Sequence, residues 1–244
     1  MLRTTPLIRI VFLFAGFLAC GAGCHHVSAP PSAEMRVVAF GDSITHGYGV
    51  PQGLGWVELL SARYRENGSH RVTLINAGGD GNTSSEGLRR LETDVLSHRP
   101  GLVLVEFGGN DATEGVRNVT LDDYERNLRA IHRAVIASGG KMVLLTFPPV
   151  INSWHVDGGK PYFLERGGLD QEVERYRQRT RQLAQQLGLP LFDLDRFLRD
   201  LMELHGPARY IASDGVHLTP AGNRLVAESI EKFLAAKKLI AARE

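Results

Sequence analysis

Five apolar runs of strand length, "RVVAF", "VTLIN", "LVLVEF", "MVLLTF" and "LPLFDL", punctuate this chain of 244 residues. Between them lie segments with helical spacing. Leu121, Tyr124, Leu128, Ile131 and Val135 recur in steps of three and four, and Leu169, Val173, Tyr176, Leu183 and Leu187 share one face in the same way. An unbroken apolar run suits a strand covered on both faces, and strands that alternate with helices must be joined by right-handed crossovers. The pattern therefore predicts an α/β fold, a three-layer α/β/α sandwich around a five-stranded, mostly parallel sheet. Residues 36–244 are expected to form its single domain, without a repeat or a low-complexity tract.

In such a sheet the working residues collect where loops leave the carboxyl ends of the strands. Three stretches qualify: "GDSIT" with Ser43 after the first run, "NAGGDGNTS" (Asn76 to Ser84) after the second, and "GGND" (Gly108 to Asp111) after the third. A fourth, Pro148 to Gly168, is longer than a strand-to-helix connection needs, so it is expected to overhang the same edge and shape a substrate pocket. Its Trp154 and His155 are candidate substrate contacts, with pinning of the loop as the equal alternative for both.

A serine hydroxyl is a weak nucleophile until a base takes its proton, and the base needs a third group to fix its tautomer. Near the C-terminus "SDGVHLTPAG" offers Asp214 and His217 three residues apart, in a glycine-containing turn that feeds a helix capped by Thr219 and started by Pro220. A turn sets residues i and i+3 on one side, leaving the second ring nitrogen of His217 free to face Ser43. Donors for an oxyanion are the amides of Ser43 and Gly81 and the side-chain amide of Asn110. Taken singly, each of these stretches reads as an ordinary turn. Their joint occurrence at successive strand exits is what points to acyl transfer.

On these motifs the chain resembles the SGNH hydrolase superfamily, the GDSL esterases and lipases, from about Arg36 to Leu234. "FGDSIT", "NAGGDGNTS", "VEFGGND" and "DGVHLTPAG" match its four blocks. The resemblance implies a flavodoxin-like fold with Ser43 as nucleophile, Gly81 and Asn110 in the oxyanion hole, His217 as base and Asp214 as its partner. It implies hydrolysis of carboxylic esters through an acyl-enzyme, in wording closest to the arylesterase, lysophospholipase and thioesterase branch, with neither cofactor nor metal. A carbohydrate O-acetylesterase or an acyltransferase on the same scaffold is the alternative enzyme. A flavodoxin-like phosphate or flavin binding module is the non-enzymatic one, although it has no use for Asp214 and His217. Asp42 is expected to hold the nucleophile turn, and His46 to cap it or line the pocket.

The amino terminus carries a different message. Arg3 and Arg9 precede the apolar run "IVFLFAGFLA" and then "CGAGC", which reads as an export signal over residues 1–23, followed by a Pro-rich tether over 24–35. Cys20 and Cys24 are the only cysteines, so the body has no disulfide framework. Cys24 is the candidate lipidation site, though neither cysteine has the aliphatic residue usual three places upstream in a lipobox. The expected location is the bacterial cell envelope through a lipid anchor, with plain secretion or a periplasmic protein as rivals. Without Arg3 and Arg9, 26 basic side chains face 27 acidic ones, a balance that gives no sign of a nucleic-acid partner.

Overall fold

The computed structural model describes residues 34–66 and 71–240. They belong to the second of the chain's two compact units, Ala33–Glu244. The first unit, Met1–Ser32, lies outside the described residues, and with it the export signal, both cysteines and most of the tether.

Five strands form one parallel sheet in the order β2-β1-β3-β4-β5: β1 (Met35–Gly41), β2 (Val72–Gly78), β3 (Leu102–Glu106), β4 (Lys141–Leu145) and β5 (Leu191–Phe192). Strand β1 lies inside the sheet between β2 and β3, and Val37 to Phe40 are fully buried, as the unbroken apolar run requires. Strand β5 is only two residues long, shorter than its apolar run. Pro190 has no N–H for the ladder and contributes only its carbonyl, which accepts from Leu144 N, and Asp193 already caps the following helix.

The chain steps from β1 to β2 in one direction and from β2 through to β5 in the other. Right-handed crossovers therefore divide the helices between the two faces. Helix α2 (Trp56–Glu66), which follows the short α1 (Ser43–His46), covers one face, where Trp56 N donates to Asn223 Oδ1 of α8 (Pro220–Ala236). On the other face lie α3 (Ser84–Asp94), α4 (Leu121–Ala137) and α6 (Leu169–Leu187). Asn127 ties α4 to Ser84 and Ser85, and Arg179 of α6 reaches Asp122 and Glu125. The short α5 (Pro161–Leu164) lies in the long loop, and α7 (Leu194–His205) follows β5.

The reversal of strand order falls between β1 and β3. At such a point the two outgoing loops diverge and leave a crevice above the carboxyl ends of the strands. Ser43 leaves β1 at this crevice and Asn110 follows β3 into it.

Candidate active site

The turn that carries Ser43 is held by hydrogen bonds from both of its ends. Asp42 caps α1, its Oδ1 accepting from Ile44 N at 2.9 Å, and the buried Trp56 indole donates to Ile44 O at 3.1 Å. Ile44 and Thr45 are buried, while the hydroxyl of Ser43 faces the pocket. His46 pairs with Asp80 through Nδ1 at 2.7 Å on the exposed rim.

Ser43 Oγ lies 2.9 Å from His217 Nε2, and His217 Nδ1 lies 2.7 Å from Asp214 Oδ2. A carboxylate beside Nδ1 selects the tautomer that carries its proton there, leaving the Nε2 lone pair to accept from the serine. Asp214 Oδ1 accepts from the amides of Val216 and His217, at 2.9 and 3.0 Å. Partial burial works against the charge of Asp214, but these two amides and the His217 ring hold its carboxyl below the usual range. The turn is closed by a bridge between Ile211 and Leu218 and by Ala212 N donating to His217 O.

The long loop braces this turn from outside. Ile151 N donates to Gly215 O at 2.8 Å. Gly215 has φ +78°, and a Cβ there would lie 2.7 Å from Ile151 O and 2.8 Å from His155 N. Only glycine satisfies both the backbone angle and the close approach.

Asn110 has its side-chain amide on two acceptors, Asp42 Oδ2 and Asn82 O, each at 3.1 Å. Gly81, with φ +68°, lines the same pocket, and its carbonyl accepts from Arg117 Nη2. Arg90 pins the glycine loop to the sheet. Its guanidinium reaches Asn82 Oδ1, Ala77 O and Gly41 O at 2.7 Å each, and packs over the Phe40 ring. Nothing in the motif pattern singles out Arg90, because an arginine on an amphipathic helix usually faces solvent.

These groups open into a pocket of about 320 Å³. Its walls take Phe147 from just before the long loop and Val150 from its start, Phe163 from α5, and Leu169 and Val173 from α6. The two expected loop contacts are parted. His155 lines the pocket, and burial holds its imidazole below the ordinary value. Its Nδ1 accepts from Asp157 N, so the neutral ring carries its proton on Nε2. Trp154 lies elsewhere: its Cβ stands against Gly215, and its side chain lines a separate depression with Ile211, Ala212 and Ser213, behind the Asp214 to His217 turn. Consecutive residues of a tight turn project to different sides, and the Gly215 contact decides which one faces outward. Tyr48, absent from the motif reading, sets its ring 4.6 Å from that of His217. Among the described residues no group of three or more His, Cys, Asp or Glu is placed to hold a metal ion.

The family model described as GDSL-like lipase/acylhydrolase matches residues 39–225, a span that contains Ser43, Asn110, Asp214 and His217. The chain belongs to this family. As a GDSL-like hydrolase it acts on esters, and its five-stranded sheet is the SGNH fold. The chain is similar to an uncharacterized lipoprotein of Bacillus subtilis, YqeF, with 31% identity over 219 residues covering 80% of this chain and 87% of that protein. It is 25% identical over 214 residues to an acetylxylan esterase of Geobacillus stearothermophilus, covering 80% of this chain and 91% of the esterase. The crystal structure of the lipase/acylhydrolase from Enterococcus faecalis superposes with a TM-score of 0.70 at 26% identity, covering 86% of this chain and 99% of that one.

Proposed function

We propose that this GDSL-like hydrolase cleaves small carboxylic esters, in the manner of an arylesterase, through a covalent acyl-Ser43 intermediate. The observation that carries the reading is the continuous path from Ser43 Oγ through His217 to Asp214, with both links at hydrogen-bond length. Ser43 Oγ attacks the ester carbonyl carbon as His217 Nε2 takes its proton. His217 then gives that proton to the departing alkoxide, and the alcohol leaves. Water repeats the sequence from the other side: His217 removes its proton, the acyl group leaves as the acid, and Ser43 recovers its hydrogen. The amides of Ser43 and Gly81 and the Asn110 side chain stabilise the oxyanion of both tetrahedral intermediates. One Asn110 N–H is held by Asp42; the other, at rest on Asn82 O, is the one the oxyanion shares. The direct test is labelling by a fluorophosphonate. One serine should be modified, and labelling that persists in Ser43→Ala would end the proposal.

The size of the pocket sets the substrate range. With an apolar wall and about 320 Å³ shared between acyl group and alcohol, it suits a short acyl chain or one aromatic ring. Across a series of p-nitrophenyl esters, kcat/KM should peak at short chains and decline once the acyl group must run out over the rim. A maximum at long chains would assign the pocket to the alcohol instead. Deacetylation of a sugar is the second reading, favoured by the same small pocket and by the likeness to an acetylxylan esterase. Turnover of acetylated xylosides above that of aryl acetates decides for it.

Activity should rise from acid toward neutral pH, because a protonated imidazole cannot accept the serine's proton. Asp214, held below the usual carboxyl range, stays ionised through that window and adds no second limb. The kcat/KM profile checks this, and a rate that is flat or falling toward neutral pH contradicts a histidine base.

For the amino terminus we propose export followed by lipidation at Cys24. Support comes from the apolar run that precedes it and from the likeness to a B. subtilis protein named a lipoprotein. Cys24→Ala should move the protein from the membrane fraction of its host to the soluble one, since acyl chains supply the binding energy. Unchanged fractionation with Cys20 also replaced would reject lipid anchorage.

A further inference from the structure

Beneath the nucleophile the structure buries acids that the triad does not use. Glu106, the last residue of β3, is 1% exposed; its Oε2 accepts from Thr45 Oγ1 at 3.1 Å, and its Oε1 is buried without a donor. The Glu106 carboxyl lies beside that of Asp42, close enough for the two to interact. Gly41 permits this approach, because a Cβ there would stand 2.9 Å from Glu106 Oε2 and 2.2 Å from Thr45 Oγ1. Asp42 itself is fully buried and has both oxygens engaged, Oδ1 by Ile44 N and Oδ2 by Asn110 Nδ2. A chain of polar contacts thus runs from Glu106 through Asp42 to Asn110 at the pocket.

Two carboxyls in contact and out of water cannot both be charged, so the pair keeps a proton. Asp42 accepts from two N–H donors, which stabilises its anion. Glu106 has one hydroxyl donor and a bare oxygen, so its anion is the costlier of the two. Burial pushes both carboxyls up from their ordinary values, and the charge of Asp42 pushes Glu106 further. Asp111, which accepts from the amide and hydroxyl of Ser84, adds negative charge nearby, and the buried Tyr124 adds none while protonated.

We propose that Glu106 is a positioning residue, held as a neutral acid whose O–H donates to Asp42 and so keeps Asp42 an acceptor that aims the Asn110 amide at the oxyanion. A protonated Asp42 would turn a hydroxyl toward Asn110 and release its amide. A doubly ionised pair would place a second negative charge behind the developing oxyanion. The neutral Glu106 prevents both. The inference rests on the reading of Asn110 as an oxyanion donor.

The test compares Glu106→Gln and Glu106→Leu in the wild-type and Asn110→Ala backgrounds, with kcat and KM measured on one short-chain aryl ester and folding checked by urea denaturation. Asn110→Ala alone should lower kcat by about 10² to 10³ with KM little changed. Glutamine offers a donor and an acceptor as a protonated acid does, so Glu106→Gln should keep kcat within about threefold. Glu106→Leu should lower kcat by about tenfold to a hundredfold, as for a misplaced donor, with KM little changed. In the Asn110→Ala background the same change should cost at most about threefold more, because the residue it acts through is gone. A glutamine variant as slow as the leucine one would mean that charge is needed, and overturns the proposal. So would a leucine effect that multiplies fully with Asn110→Ala, or one confined to KM. If Glu106→Leu does not fold, Glu106→Asp takes its place, one methylene short of Asp42, and the same outcomes decide. Full kcat in Asn110→Ala would instead sink the oxyanion reading and this inference together.

Discussion

Ser43→Ala and His217→Ala are each expected to lower kcat for a small ester by about 10⁴-fold or more, and the double variant to lose at most about tenfold beyond either. The reason is that the two side chains act as a unit. In the proposed mechanism the hydrogen bond of 2.9 Å between Ser43 Oγ and His217 Nε2 is the path of the proton, and a path closed at one end gains nothing from the other. Residual turnover comes from binding and from the oxyanion donors, which neither substitution touches. Both variants should fold, since the His217 side chain is partly exposed and Ser43 contributes only a hydroxyl at the pocket floor. Steady-state kinetics on all three proteins check the result. Losses that multiply in the double variant would mean that Ser43 and His217 act in separate steps.

The second large effect is on stability. Arg177→Met should lower the unfolding free energy by about 3 to 5 kcal/mol, the cost of breaking a buried ion pair from one side. The Arg177 side chain is fully buried and donates to Phe147 O, Pro148 O and Asp170 Oδ1 at 3.0, 2.6 and 2.8 Å, with Asp195 and Glu174 within 3.4 Å. Removing it strands two carbonyls and leaves Asp170 with only Arg199 as a cation. Asp170 also links the effect to pH. Burial opposes its charge, yet Arg177, the Val150 amide and Arg199 hold its carboxyl below the ordinary value. A depressed carboxyl contributes stability that is complete above its unfolded-state value and is lost as pH falls through the folded-state one. The deficit of Arg177→Met should therefore be largest near neutrality and shrink in acid. Urea midpoints at several pH values test this. A loss under about 1 kcal/mol would show that dehydrating the guanidinium already cancels its contacts. Because Phe147 and Val150 line the pocket, the same variant should also bind substrate less tightly.

The parts of this protein legible in its sequence are those that depend on neighbours along the chain. Helix periodicity marked α4 and α6, the apolar runs marked the strands, and the turn with Asp214 and His217 declared its local pairing through a spacing of three. The SGNH motifs gave the family, and the family model covering residues 39–225 bears this out. What depends on contacts distant in sequence was out of reach. No pattern ties Glu106 to Asp42, or Arg90 to Asn82, Ala77 and Gly41, because a buried acid and an amphipathic-helix arginine look alike in sequence whether or not they meet a partner. Trp154 and His155 show the same limit at one peptide bond. Both stood in a loop expected at the substrate edge, and only the packing of Ile151 and His155 on Gly215 determined that the imidazole faces the pocket while the indole backs the Asp214 to His217 turn. Local spacing decides which groups this chain can bring to a strand exit; the tertiary fold decides which of them touch, because hydrogen bonds and burial act through space and not along the chain.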